Sequence, residues 1–213
     1  ITDTVSNVTA VENNTNISLD TSTITVTDAA TLANANDINE FTTGKVTLQS
    51  VEDTYDNIQD IKAINTAEVD MDAAAIKVTD SVDKTKVDDL RTDTTGNITL
   101  TSITEDKADL ATIAGFTDVS LSTANITVSD DVSKAQADTI NAYNVSGTVT
   151  LTSITDNFTN VKAAQGTAGI AMTAATIETD NTEAVTKANV DTLNGFTTAV
   201  VTVKSVKDTS ANV

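Results

Sequence analysis

Ile24-Thr-Val-Thr-Asp28 and, a little further on, Val46-Thr-Leu-Gln-Ser50 decide the fold. In both, apolar residues alternate with hydroxyl or polar ones, the period-two pattern of a short strand with one buried face. Both stretches return. The first comes back as Ile76-Lys-Val-Thr-Asp80 and Ile126-Thr-Val-Ser-Asp130, with a weaker copy near Ile177. The second comes back as Ile98-Thr-Leu-Thr-Ser102, Val149-Thr-Leu-Thr-Ser153 and Val201-Thr-Val-Lys-Ser205. A third pair, Ile17 and Leu19, matches Val69 and Met71, Val119 and Leu121, and Ile170 and Met172. Self-similarity at a period of roughly 51 residues is the signature of a repeat architecture. The units run about 1–50, 51–102, 103–153 and 154–205, with a partial unit at 206–213, in a single array.

Between the strands the period changes. Leu32, Ala35, Ile38 and Phe41 fall within 30–41, and Tyr55, Ile58, Ile61 and Ile64 within 52–64. A spacing of three predicts a helix in each stretch. Each repeat therefore reads strand, helix, strand, helix, strand. A strand followed by a helix, repeated in parallel, winds into a right-handed coil. The expected fold is an α/β solenoid, with a parallel β-helix as the alternative. The stretch from Ile17 to Ile24 is too short for a helix and reads as a tight arc or a small extra coil.

Helix starts are read at Ser50–Asp53, Ser102–Glu105, Ser153–Asp156 and Ser205–Asp208, where a serine precedes an acid by three residues as in a capping box. Asp28, Asp80 and Asp130 stand at the other strand-to-helix junction and suit helix N-caps. Gly44, Gly96 and Gly147 are expected to end helices in left-handed conformation. Asn7, Asn57, Asn160 and Asn212 share one repeat position, with Asp109 as the variant; they read as a structural ladder of side chains bonded into turns.

Composition limits the chemistry. The chain has no His and no Cys, so imidazole or thiolate catalysis and metal ligation are excluded. Adjacent carboxylates such as Asp88-Asp89 and Asp130-Asp131 point apart on a helix, and no enzyme site is expected. Lys and Arg number 12 against 31 Asp and Glu, for a net charge of -19. That balance opposes nucleic acid and anionic membranes. It favours solubility and oxygen-seeking cations such as Ca²⁺. Asp28, Asp80 and Asp130, with Asp53 and Asp156 nearby, are the candidate Ca²⁺ ligands, helix capping being the preferred reading of the same residues. No run reaches the ~18 apolar residues of a membrane helix, and the polar opening Ile1–Ala10 carries no leader pattern.

Thr makes up about a fifth of the chain. Thr25, Thr27, Thr47, Thr99, Thr101, Thr150 and Thr152 fall on the strand face opposite the apolar one. A regular Thr array would suit ice or glycan binding, but Lys77, Gln49, Ser129 and Lys204 interrupt it. Thr is a favourable strand residue in any case. Sequons at Asn7, Asn13, Asn16, Asn97, Asn125, Asn144 and Asn157 are expected by chance at this composition.

Ile1-Thr-Asp-Thr-Val-Ser-Asn-Val8, Val51-Glu-Asp-Thr-Tyr-Asp-Asn-Ile58 and Val206-Lys-Asp-Thr-Ser-Ala-Asn-Val213 are one phase of the repeat. The chain thus reads as a slice of a longer array or as a subunit that stacks end to end. With the Ile-Thr-Val-Ser-Asp strand, the Asp-Thr-x-x-Asn-Val turn and the Ala-rich helices, it resembles the repeats of giant bacterial cell-surface and adhesin-like proteins. Its composition is similar to that of S-layer proteins. That resemblance implies an extracellular structural segment, self-association into a filament or lattice, contact with cell-surface glycans, and Ca²⁺ dependence. It brings no site residues with it.

Overall fold

The computed structural model describes residues 1–64 and 68–207. Helices and strands alternate as α/β. The strands are β1 (Thr2–Asp3), β2 (Ile24–Ala30), β3 (Val46–Asp53), β4 (Val69–Asp70), β5 (Ala75–Val82), β6 (Ile98–Glu105), β7 (Val119–Ser120), β8 (Asn125–Val132), β9 (Val149–Asp156), β10 (Ile170–Ala171), β11 (Thr176–Thr179) and β12 (Val201–Val203). The helices are α1 (Val5–Glu12), α2 (Leu32–Glu40), α3 (Tyr55–Ala63), α4 (Lys84–Asp93), α5 (Lys107–Ala114), α6 (Lys134–Asn141), α7 (Phe158–Gln165) and α8 (Lys187–Asn194).

The chain divides into two compact units, Ile1–Ser102 with Phe116–Ser120, and Ile103–Gly115 with Leu121–Val213. In the first unit the strand order is β1-β2-β3-β5-β6, with β4 beside β3 and β7 beside β6. In the second unit β8, β9, β11 and β12 follow one another, with β10 beside β9. Pairing is parallel throughout these ladders. The order does not close on itself in either unit. Each unit is a solenoid-like stack in which every full strand leads into a helix, so the helices set aside the all-strand alternative.

Each roughly 51-residue repeat is two coils, a long one and a short one. The long coil of the second repeat runs β3, α3, β4 and the short one β5, α4. β4 and β5 together flank β3. Val69 and Asp70 pair with Val46 and Thr47, then Met71–Ala74 turn, and Ala75–Val78 pair with Ser50–Asp53. In the first repeat no strand forms at Ile17 and Leu19, so that stretch is the tight arc.

Three apolar residues per strand enter the core. They are Val46, Leu48 and Val51 in β3, and Ile24, Val26 and Ala30 in β2. The third does not continue the simple alternation, because the β2–β3 ladder shifts register between Val26 and Ala29. The same shift lies between Val128 and Asp131. Opposite the strands the helices bury pairs such as Ala35 and Ile38, Ile58 and Ile61, Val87 and Leu90.

The register shift corrects the helix starts. Because Val51, Ile103 and Ile154 are buried third core positions, the strands run past the serines as far as Asp53, Glu105 and Asp156. Ser50, Ser102 and Ser153 are strand residues and not caps, and Ser205 lies ahead of a single bridge at Val206. The caps are Thr4, Thr31, Thr54, Asp83, Asp106, Ser133, Asn157 and Thr186, each accepting from the third helical amide. Asp28, Asp80 and Asp130 likewise do not cap the helices that follow them. Asp208 and Asn212 lie outside the described residues.

The glycines are corrected too. Among the described residues only Gly169 has positive φ, at 88°. Gly44, Gly96 and Gly147 are small for another reason. A Cβ at Gly96 would stand 2.2 Å from the Ala74 carbonyl oxygen, and at Gly44 2.3 Å from that of Ser22. The turn presses against the coil before it.

Candidate functional site: the joints between coils

The first amides of an α-helix have no partner within the helix. Here the N-cap side chain takes the third amide, and in α1, α2, α3, α5 and α6 the first amide is taken by a carboxylate from the following coil. The Val5 N–H donates to Asp28 Oδ1 at 2.8 Å, Tyr55 to Asp80 Oδ1 at 2.8 Å, and Lys107 to Asp130 Oδ1 at 3.0 Å. Leu32 donates to Asp53 Oδ2 at 2.9 Å and Lys134 to Asp156 Oδ2 at 2.9 Å. Each acid lies 21 to 25 residues beyond the amide that it receives. Negative charge at this end of a helix is also favoured by the helix dipole. These five aspartates are the ones read as Ca²⁺ ligands, and they act as caps on the neighbouring coil.

The asparagine ladder belongs to the same joint. Asn57 Nδ2 donates to Asp53 Oδ1 at 2.7 Å and Asn160 Nδ2 to Asp156 Oδ1 at 2.8 Å. Asn7 Nδ2 does the same to Asp3 Oδ1 at 2.7 Å. One oxygen of Asp53 thus serves its own coil, through Thr54 N and Asn57 Nδ2, while the other serves the coil before. Burial pushes the Asp53 carboxyl up, but the bonds from Leu32, Asn57 and Thr54 outweigh it and hold it below its ordinary value. Asp130 has the same balance, with burial opposed by the Lys107 side chain and amide. Lys107 Nζ lies 2.8 Å from Asp130 Oδ2, and that bond raises the lysine.

A second clip sits at the other corner of each short coil. Thr42 and Thr94 are buried, and their hydroxyls donate to Ser22 O and Ala74 O of the preceding coil, each at 2.7 Å. Each also accepts from the glycine two residues on, at 2.9 Å. Thr197 repeats the clip to Ala175 O at 2.6 Å. In the third repeat the turn is one residue longer, with the exposed Val145, and the longer Asn144 spans it. Its Nδ2 donates to Ala124 O at 2.6 Å and its Oδ1 accepts from Gly147 N at 2.5 Å. The Thr-Thr-Gly of residues 42–44, which returns at 94–96, carried this signal, but the partner is a backbone carbonyl, which no side-chain pattern marks.

Asp109 changes the joint. Where Asn7, Asn57 and Asn160 place an amide beside the strand-end acid, Asp109 joins Glu105 and Asp106 in the cluster of three carboxylates found among the described residues. Asp106 Oδ1 accepts from Ala108 N and Asp109 N, and Glu105 accepts from Asp106 N. Glu105 and Asp109 engage further groups of the protein as well. Calcium takes six to eight oxygens. At this helix start, as at the five capping aspartates, carboxylate oxygens hold backbone amides of the protein.

The outward sheet face is mixed. Thr25 and Thr47 stand side by side, but Thr47 meets Asp70, which Lys45 holds at 2.6 Å. Glu52 pairs with Lys77 at 2.7 Å, and Glu178 with Lys204. Thr101 and Thr152 spend their hydroxyls on Val78 O and Val128 O. A notch of about 430 Å³ opens where β4 gives way to β5, lined by Thr47, Leu48, Gln49, Asp70, Asp72 and Ala73. No family model, curated protein or solved structure matches this chain.

Proposed function

We propose that the chain is an extracellular structural segment of a surface filament, S-layer or giant adhesin, wound as a right-handed solenoid and working by stacking and self-association of its coils. The observation that carries this reading is the joint. The polar groups that recur in the repeats, Asp28, Asp53, Asp80, Asp130 and Asp156, are spent on holding one coil to the next. A scaffold needs that investment; a reaction centre would need such groups free and convergent.

Electron microscopy of the native assembly, in calcium and after chelation, tests the proposal. Filaments or a lattice with an axial repeat of roughly 10 Å per two coils are expected, from a strand spacing of about 4.8 Å. Separate short particles in both conditions would sink it. The notch beside Thr47 and Gln49 favours a second reading, glycan binding on the sheet face. Glycan-array binding that disappears on Gln49→Ala would support it, and an array with no bound glycan would remove it.

A further inference from the structure

We infer that the corner between α1 and α2 is a binding site for an alkylammonium group, the charged end of a lysine side chain or of a free amine. A comparison with the second repeat carries this.

In the second repeat Lys62, in the last turn of α3, reaches the corner of the short coil that follows. Its Nζ lies 3.6 Å from Asp72 Oδ1, 3.9 Å from Asp93 Oδ1 and 3.4 Å from Asp93 O. Counting from the helix caps Thr4 and Thr54, Glu12 holds the place of Lys62. Asp20 holds that of Asp72, one residue after the matched Leu19 and Met71. Phe41 holds that of Asp93, counting from the caps Thr31 and Asp83. The turns are built alike. Thr43 N and Oγ1 both donate to Asp20 O, as Thr95 N and Oγ1 do to Asp72 O. The first repeat therefore keeps the frame around the ammonium, but an acid replaces the lysine that supplies it.

The result is a corner rich in acceptors. A cavity of about 240 Å³ is lined by Asp20, Asn39, Glu40, Phe41, Thr42 and Thr43, none of them basic. Among the described residues Asp20 and Glu40 make no ion pair. Thr42 and Thr43 spend their hydroxyl protons on Ser22 O and Asp20 O. Glu12 Oε2 and Asn39 Oδ1, on neighbouring helices, are buried and accept no hydrogen bond. A buried acceptor without a donor is costly, and an ammonium brings three donors. Phe41 adds an aromatic ring, which attracts a cation.

A divalent metal ion suits the corner less. Among the described residues the acids whose oxygens gather within 4.8 Å in a group of three are Glu105, Asp106 and Asp109. Glu12, Asp20 and Glu40 stand further apart, a spacing that suits a larger organic head.

The inference does not depend on the scaffold reading. Its test is titration of the isotope-labelled chain with n-butylammonium chloride and, separately, with Nα-acetyl-lysine methylamide, followed by amide NMR. Both should give saturable shifts centred on the Asn39 side chain and on Phe41, Thr42 and Thr43, and n-butanol should give none there. Asp20→Asn should weaken binding by about 2- to 5-fold, the scale of one exposed ion pair. Asp37→Asn, elsewhere on α2, should leave it unchanged. Glu12→Lys rebuilds the arrangement of the second repeat, so it should abolish binding of both probes and raise the thermal midpoint. Tighter binding of the lysine amide would mark a polypeptide lysine as the ligand, and tighter binding of butylammonium a free amine. Shifts spread over the acidic surface and unaltered in Asp20→Asn and Glu12→Lys would overturn the inference. So would the lack of a saturable shift with either probe.

Discussion

Replacing Asp53 by alanine should loosen the helix of the coil before it. Asp53 accepts from Leu32 N at 2.9 Å, from Thr54 N at 2.8 Å and from Asn57 Nδ2 at 2.7 Å. Losing the helix-start acceptor costs about 1 kcal/mol. The Asn57 and Thr54 bonds to a charged acceptor, discounted for partial exposure, add roughly another 1 kcal/mol. The expected loss is therefore about 2 kcal/mol, measured as a shift of the denaturant midpoint. Asp37→Ala, an exposed helix position, is the control and should fall within about 0.5 kcal/mol of the parent. The location of the effect is more telling than its size. Hydrogen exchange should quicken in Leu32–Glu40, a segment 21 residues upstream, as well as in α3. If α3 alone loosened and α2 kept its protection, the cross-coil cap would contribute nothing and the reasoning would fail.

Stability should be level from about pH 4 to pH 10 and fall on both sides, by urea midpoint across the range. Asp53, Asp70, Asp118 and Asp130 titrate below their ordinary 3.8 in the folded chain, so their contribution is complete above that value and is lost as pH falls through the folded values. Lys45 and Lys107 are raised above 10.5, so theirs is complete below it and disappears as pH rises through the folded values. Gly96→Ala should destabilise by about 1–3 kcal/mol, since its Cβ meets backbone at 2.2 Å, whereas Gly166→Ala meets nothing nearer than 3.5 Å and should be neutral or slightly stabilising in thermal melts. The Tyr55 phenol, pushed up to about 12 by burial and then by its bond to Asp89, should ionise nearer 10 in Asp89→Asn, followed by ultraviolet absorbance on a Tyr143→Phe background.

The strands and helices were legible because their core residues obey the periods of two and three along one segment. Ile24 and Val26, or Ile58 and Ile61, announce their element without any knowledge of a neighbour. The joints were not legible in the same way. Asp28 lies just ahead of one helix in sequence and caps another 23 residues earlier, at Val5. A capping pattern is read forward along the chain, and here the bond runs backward across coils. The serines misled for a related reason. Ser50 ends a visible alternation, but the register shift beyond Val26 lets the neighbouring strand carry the ladder on to Val51. A shift of register is a property of two strands and leaves little trace in either.

That distinction also explains which residues carry the function proposed for this chain. An array held only by its apolar face would still leave the first amide of every helix needing an acceptor. By taking that acceptor from the following coil at α1, α2, α3, α5 and α6, the chain makes the completion of those coils depend on their successors, so that Leu32 is satisfied only when β3 is in place. Such dependence turns nearest-neighbour contact into cooperativity along the stack.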